Sequence, residues 1–207
     1  GTATLECALL DVPMIVGYRL QAISFLLAKA LVRVPHVALV NLIAGRTLAP
    51  ELLQADMRQF SRPETFDVVL SLFTSFGYFE DPAENELVLS NYYRSLKAGG
   101  VLLMEMSGKE VIARIYQRRD WHERDGMLLL EERNVASDWR RMESRWILVK
   151  DGFMKEARFS HWLYSAGELA GLLAGAGFGQ VEFYGDMEGA AYDNKATRLI
   201  AVAHKAP

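Results

Sequence analysis

Apolar residues run along this chain in three successive patterns, and each predicts a different kind of element. Up to about residue 54, short and longer apolar runs alternate. A helix is predicted over 5–10 and ends near Asp11-Val12-Pro13, because the residue before a proline is pushed out of the α region. Residues 14–18 (Met-Ile-Val-Gly-Tyr) predict a buried parallel strand, 20–32 an apolar helix and 36–43 another strand. The helix, strand, helix, strand order is a Rossmann-like rhythm.

Between 55 and 106 the rhythm continues. Residues 66–71 (Phe-Asp-Val-Val-Leu-Ser) predict a short buried strand, and 72–79 a loop crowded with aromatic and hydroxyl residues. Asp81-Pro82 starts a helix running to 96, with Pro82 at N1 and Glu84 in the first turn. Lys97-Ala98-Gly99-Gly100 stops it, and 101–106 form the next strand. Short strand, helix, strand connections favour a parallel sheet.

From about Gly126 the period changes to two. Residues 127–135, 141–149 and 154–164 alternate apolar and charged positions, and Asp151-Gly152 is a tight-hairpin signal. Three antiparallel strands with faces of different polarity are expected, placed to cover a site as a lid. The chain then returns to a helix with Ser165 as N-cap, Glu168 at N3 and a body over 168–176; Ser-Ala-Gly-Glu is a capping box. Strands over 180–184 and 198–204 end the sequence. Gly175-Ala176-Gly177-Phe178-Gly179 matches a GxGxG pattern, but it lies between a helix and a strand. A nucleotide loop needs the reverse order, because the ligand sits at a helix N-terminus. The glycines are therefore read as a helix end and a tight turn.

The stretch 50–60 reads in two ways. Pro50-Glu51-Leu52-Leu53 looks like a first helical turn, whereas 52–57 looks like the end of a strand that leaves Asp56 at a sheet's carboxyl edge. A boundary is expected there, dividing the chain into 1–54 and 55–207, two parts able to pack as one hybrid domain. No unit of strand plus glycine-rich loop precedes Asp56.

Composition narrows the function. The 207 residues are 51% apolar and 24% charged, ordinary for a globular protein, with room for one good core. A net charge of −3 gives no electrostatic case for a nucleic-acid partner. The single cysteine, Cys7, excludes an internal disulfide framework and a cysteine-rich zinc site, which predicts a reducing, cytoplasmic setting. The histidines at 36, 122, 161 and 204 have no ligand spacing, so no metal is expected. The apolar run over 23–32 is interrupted by Lys29 and is too short to span a bilayer. Gly1 in place of a methionine predicts an N-terminally incomplete piece. Oligomeric state is left open, although a truncated sheet would leave an edge that invites pairing.

Two families resemble the two parts. Residues 55 to 205 resemble the class I S-adenosylmethionine-dependent methyltransferases through Ala55-Asp56-Met57-Arg58, Phe66-Asp67-Val68-Val69-Leu70-Ser71, Leu96-Lys97-Ala98-Gly99-Gly100-Val101-Leu102-Leu103, Tyr164-Ser165 with Glu168-Leu169, and Ala176-Gly177-Phe178. That resemblance implies an α/β, Rossmann-like, mostly parallel sheet, incomplete at its N-terminal side, with an antiparallel three-stranded insertion around 127–164. It further implies that Asp56 accepts from the adenine amino group of S-adenosylmethionine, that Met57 packs on the base, and that Ser71, Leu72, Phe73 and Phe76 line its methionine side. Read without the family, Asp56 is a solvated strand-end carboxylate and Met57 a core residue. Tyr78, His161 and Tyr164 are the candidates to touch a small-molecule acceptor or its proton, with aromatic packing as the alternative. The family's glycine-rich loop and the acidic residue for the ribose hydroxyls have no counterpart here.

Residues 1–54 resemble lipid-A-disaccharide synthase, a GT-B glycosyltransferase, through Gly1-Thr2-Ala3-Thr4-Leu5-Glu6, Val12-Pro13-Met14-Ile15-Val16-Gly17-Tyr18-Arg19, Asn41-Leu42-Ile43-Ala44-Gly45-Arg46 and Pro50-Glu51-Leu52-Leu53-Gln54. The resemblance implies a UDP-sugar donor, with Gly1, Thr2 and Thr4 facing the diphosphate, Glu6 near the ribose, and Asn41 and Arg46 close by. Three functions stay open: a methyltransferase weakened by the missing loop, a glycosyltransferase fragment, and a fusion that binds nothing.

Overall fold

The structure, a computed structural model, describes residues 14–17, 53–136 and 138–207. The helices expected over 5–10 and 20–32, the strand over 36–43, Pro50 and the alternative site residues Gly1, Thr2, Thr4, Glu6, Asn41 and Arg46 lie outside the described residues.

Strand β1 (Met14–Gly17) pairs parallel with β2 (Phe66–Ser71), Met14 facing Val68 and Gly17 facing Ser71. Strand β1 thus joins the sheet beside β2. Helix α1 (Pro82–Ser95) follows, with the Asp81 carboxylate accepting from the Ala83 N–H at 2.9 Å and Pro82 in the first turn. Strand β3 (Leu96–Met106) begins at once and lies parallel to β2. The four residues Lys97 to Gly100, expected as a stop, are the first part of that strand, and a register shift between Phe66 and Val68 absorbs them.

A short helix α2 (Lys109–Ile115) leads into four antiparallel strands: β4 (Arg119–Arg124), β5 (Met127–Val135), β6 (Arg141–Lys150) and β7 (Phe153–Trp162). The three expected strands are present, and β4 extends the sheet by one, in the order β4-β5-β6-β7. Asp-Gly turns close the β4–β5 and β6–β7 hairpins. Asp125 and Gly126 have φ 53° and 70°, and Asp151 and Gly152 have 49° and 77°, the paired positive angles of a type I′ turn.

Helix α3 (Ala166–Gly175) opens with the expected capping box: the Glu168 N–H donates to Ser165 Oγ at 3.1 Å, and the Ser165 N–H donates to the Glu168 carboxylate at 2.8 Å. The glycines after it lead into strand β8 (Gln180–Tyr184), as the helix, turn, strand reading requires. Strand β9 (Leu199–His204) runs antiparallel between β3 and β8, giving the sheet order β1-β2-β3-β9-β8. The architecture is α/β and mixed, with parallel pairing on the β1 side and antiparallel pairing on the β8 side.

The core lies between this sheet and α1 with α3. Alternate residues of β3, Leu102, Met104 and Met106, are buried together with Val88 and Leu89 of α1, Leu169 and Leu173 of α3, and Leu199, Ala201 and Ala203 of β9. This is the period-two pattern of a strand with one face on a helical layer. The edge-on contact of Tyr93 with Phe178 closes the end of the layer, ring centres 5.2 Å apart. Substituting Ser165→Ala removes one acceptor from an orphan N–H of α3 and should lower unfolding free energy by about 1 kcal/mol, read as a shifted urea midpoint at unchanged slope.

Candidate functional site

The strand expected to end at Asp56 is not formed. Residues 53–56 have no regular structure and 57–59 turn, with the N–H groups of Gln59 and Phe60 both donating to the Asp56 carbonyl at 2.9 Å. The cause is local. The Asp56 carboxylate accepts from the Arg58 N–H at 2.9 Å and from the Arg58 guanidinium, an Asx-type closure that competes with an extended backbone. Arg58 also pairs with Glu84 and lies over the Phe79 ring at 4.7 Å. These carboxylate bonds push the Arg58 pKa further up. Buried Asn91 of α1 donates to the carbonyls of Met57 and Arg58 at 3.0 and 2.9 Å, and Met57 packs against the main core.

The loop after β2 is held in an unusual shape. Phe73 and Thr74 both have positive φ, 58° and 54°, a conformation uncommon for residues with side chains. Glu105, 7% exposed near the end of β3, holds them there. Its carboxylate accepts from the Phe73 N–H at 2.5 Å, and its carbonyl accepts from the Thr74 N–H at 3.1 Å. The Thr74 hydroxyl accepts from the Ser107 N–H at 3.1 Å. Because Met106 faces Leu199 in the β3–β9 register, Arg198 is delivered beside Glu105, with which it pairs, and it donates to Ser107 Oγ at 2.9 Å. A charge this buried is tolerated when paired and hydrogen-bonded on several sides, as here.

The next part of the loop is fastened to the antiparallel sheet. The Trp162 N–H donates to the Gly77 carbonyl at 2.8 Å, and the Trp162 indole N–H donates to the Phe79 carbonyl at 2.8 Å. Gly77 has φ 97°, and a Cβ there would lie 3.2 Å from the Trp162 carbonyl and the Tyr164 ring, so the approach requires glycine. This sets Tyr78 against His161 of β7, ring centres 5.4 Å apart, with Phe159 6.2 Å from Tyr78.

Between the loop and the antiparallel sheet lies a cavity of about 730 Å³. Leu72, Phe73 and Tyr78 border it on one side, His161, Phe159 and Trp146 on the other, with Arg198 at its edge. Four of the expected site residues, Leu72, Phe73, Tyr78 and His161, thus meet in one space. The others do not border it. Ser71 is buried, its hydroxyl 3.4 Å from that of Ser75; Phe76 is buried in the main core, and Tyr164 packs on Phe76 at 5.4 Å between ring centres. Asp56 and Met57 are held against α1 and the core as described.

His161 is 5% exposed, and its Nδ1 has no hydrogen-bond partner among the described residues. Burial, with Arg141 nearby, lowers its pKa to about 4, so the imidazole is neutral at physiological pH. Burial, with Glu168 nearby, pushes the Tyr164 hydroxyl in the opposite direction, upward. Asp120 and Glu131 border the same cavity, and with His122 they bring three ligand-type atoms within 4.8 Å of one another. Glu131 is already engaged by Arg133, and His122 Nε2 lies 3.4 Å from Asp120. Glu105, Arg198 and this cluster were not predicted from sequence. The one available signal was an acid inside an apolar strand, Met104-Glu105-Met106.

The family profile of lipid-A-disaccharide synthetase matches residues 1–72, beyond the boundary expected at 54 and through β2. The lipid-A-disaccharide synthase of Syntrophus aciditrophicus is 56% identical over 54 residues, 26% of this chain and 14% of that protein. That of Gluconobacter oxydans is 48% identical over 71 residues, 34% of this chain and 17% of that protein. The chain thus spans a small part of the length of the curated relatives it matches. Among solved structures, an S-adenosylmethionine-dependent methyltransferase from Clostridium acetobutylicum superposes with a TM-score of 0.72 at 12% identity, covering 94% of this chain and 75% of that one. CalS10, an amino pentose methyltransferase from Micromonospora echinaspora solved with S-adenosylmethionine bound, superposes with a TM-score of 0.56 at 22% identity, covering 98% and 87%. Both resemblances read from the sequence are thereby supported. The fold is that of the class I methyltransferases, Rossmann-like.

Two outcomes follow for the site. Glu105→Ala leaves Arg198 without its carboxylate and frees the Phe73 and Thr74 turn; a loss of about 3 kcal/mol is expected, measured by urea unfolding. His161 has a folded pKa below its unfolded value, so the unfolded chain binds more protons between the two. Its contribution to stability is fully present above about pH 6.5 and is lost as pH falls through about 4, by up to roughly 3 kcal/mol. His161→Phe should flatten that part of the stability profile between pH 4 and 7.

Proposed function

We propose that the chain is a methyltransferase-type protein that binds S-adenosylmethionine along the loop after β2 and a small-molecule acceptor in the adjoining cavity. The observation that carries this reading is the meeting of Leu72 and Phe73, from the carboxyl end of a parallel strand, with Tyr78 and His161 in one aromatic-walled cavity. Ligands of open α/β sheets bind outside the carboxyl ends of the strands. The residues fit an organic cation: Phe73, Tyr78, Phe159 and Trp146 offer ring faces, and an unpartnered imidazole nitrogen lies in the same wall.

When bound, S-adenosylmethionine supplies a methyl carbon on a sulfonium, transferred by in-line displacement. The chain's part is chiefly to hold the acceptor in line, which can account for much of such a rate. Phe73 and Leu72 face the sulfonium side, and Ser71 and Phe76 support them from beneath. Tyr78 orients the acceptor. Neutral His161 accepts the proton that an attacking amine or hydroxyl releases. Tyr164 acts through Phe76. Asp56 takes the adenine amino group and Met57 flanks the base, which requires Asp56 to exchange part of its bonding to Arg58. CalS10 methylates an amino pentose, and an acceptor of similar size suits the cavity here. The sequence before β2 matches a glycosyltransferase and carries no glycine-rich loop, so affinity for S-adenosylmethionine should be weak.

The second reading rests on the 56% identity of the first part: a lipid-A-disaccharide synthase fragment that retains a UDP-sugar subsite at Gly1, Thr2, Thr4, Glu6, Asn41 and Arg46. Isothermal titration with S-adenosylhomocysteine and, separately, UDP tests both. Heat with S-adenosylhomocysteine alone, weakened by Phe73→Ala, is expected. Heat with UDP alone would put the second reading in its place, and heat with neither would leave a fold without these ligands.

A further inference from the structure

Strand β4 is an edge with an unusual order of charges. Among the described residues no strand pairs with its outer side, and five of its six residues are exposed, Trp121 at 61%. Its first five residues read Arg119, Asp120, Trp121, His122, Glu123. About Trp121 the sequence is antisymmetric in charge: a cation faces an anion across the centre, and an acid faces an imidazole. Exposed edges with free main-chain groups pair with other strands unless something blocks them.

The ladder settles which main-chain groups are free. Arg124 and Met127 flank the two-residue Asp125-Gly126 turn, so they exchange both hydrogen bonds of their pair. Bonded positions alternate from there, so His122 and Asp120 point their N–H and C=O groups at β5. The Arg133 N–H donating to the Arg118 carbonyl at 2.8 Å continues the same series. The groups of Arg119, Trp121 and Glu123 therefore face outward, the Trp121 N–H donating to Asp120 Oδ1 at 2.8 Å, a bond that pairing with a second copy would replace.

We propose that two copies of the chain pair antiparallel through β4 with Trp121 on the twofold axis, joining their antiparallel sheets into one. A twofold contact sets a patch against itself, and outward groups must meet outward groups. Centred on Trp121, the register places Arg119 opposite Glu123 of the second copy, Asp120 opposite its His122, and the two Trp121 rings together. A shift that sets Arg119 opposite Arg124 and Asp120 opposite Glu123 aligns like charges and turns inward groups outward; both oppose it. On the face that carries Trp121, Leu130 faces it on β5 and Ile147 lies next on β6, so the joined sheet also extends an apolar strip. The Arg119 pair with Glu132 at 3.1 Å leaves its side chain 75% exposed and within reach of a second partner.

Sedimentation velocity of the full chain over micromolar to millimolar concentrations tests this. A species of twice the 23.3 kDa chain mass is expected. Arg119→Glu and Glu123→Arg, each alone, should raise the dimer dissociation constant about tenfold or more, because every change acts twice across the axis. The double variant exchanging the two charges should restore the dimer, which also shows that the single variants were folded. A monomeric wild type, single variants as dimeric as the wild type, or a double variant no better than either single one would each overturn the proposal.

Discussion

The carboxylate of Glu105 is the point on which the site's geometry turns. A strand that buries Met104 and Met106 on one face must send Glu105 to the other, and there it is covered by the loop after β2. A charge so placed destabilises the fold unless its oxygens are satisfied. The available donors are the Phe73 N–H and the Arg198 guanidinium, and using them bends residues 73 and 74 into a left-handed conformation. Strain of that kind persists only where the surroundings over-determine it. The loop that turns Phe73 into the cavity is thus a consequence of one buried acid.

From that loop the constraint passes to the second sheet. Once residues 72–75 are placed, the chain has few residues in which to reach α1, and Gly77 lets it run against β7 closely enough for both Trp162 donors to find its carbonyls. The antiparallel sheet is therefore attached to the parallel one through the site itself, with Tyr78 and His161 on the two sides of the joint. The burial that keeps His161 neutral and the contact that orients Tyr78 have one origin.

Much of this architecture could be read from the sequence, and the failures share a physical reason. Helix α1, the capped α3, the Asp151-Gly152 hairpin and the later strands announce themselves through local rules: proline at N1, a capping box, an Asp-Gly pair between alternating runs. Strand β4 did not, because Arg-Asp-Trp-His-Glu-Arg exposes nearly every residue and has no buried face to impose a period of two. The strand expected before Met57 failed for the opposite reason, a local side-chain closure by Asp56 and Arg58 that no hydrophobic pattern reveals. In the site, Tyr78 and His161 were legible as hydroxyl and imidazole groups amid aromatic residues. Glu105 and Arg198 were not, since 93 residues separate them and only the β3–β9 register brings them together.

The same distinction bears on how strands inside and outside the matched stretch share a sheet. Strands β1 and β2 lie within the stretch matching lipid-A-disaccharide synthetase, and β3, β9 and β8 lie beyond it, yet all five pair in one sheet. A buried parallel strand asks its neighbour for main-chain groups and apolar side chains, and many sequences supply both. A ligand loop asks for particular residues at particular places. Strand pairing therefore makes the weaker demand on sequence, and a ligand loop the stronger. The Glu105 clamp lies wholly beyond that stretch: its acid is on β3, and its strained partner, Phe73, is the residue immediately after the matched stretch. The loop that borders the cavity is thus clamped by residues beyond the match, whereas the sheet draws its strands from both sides of it.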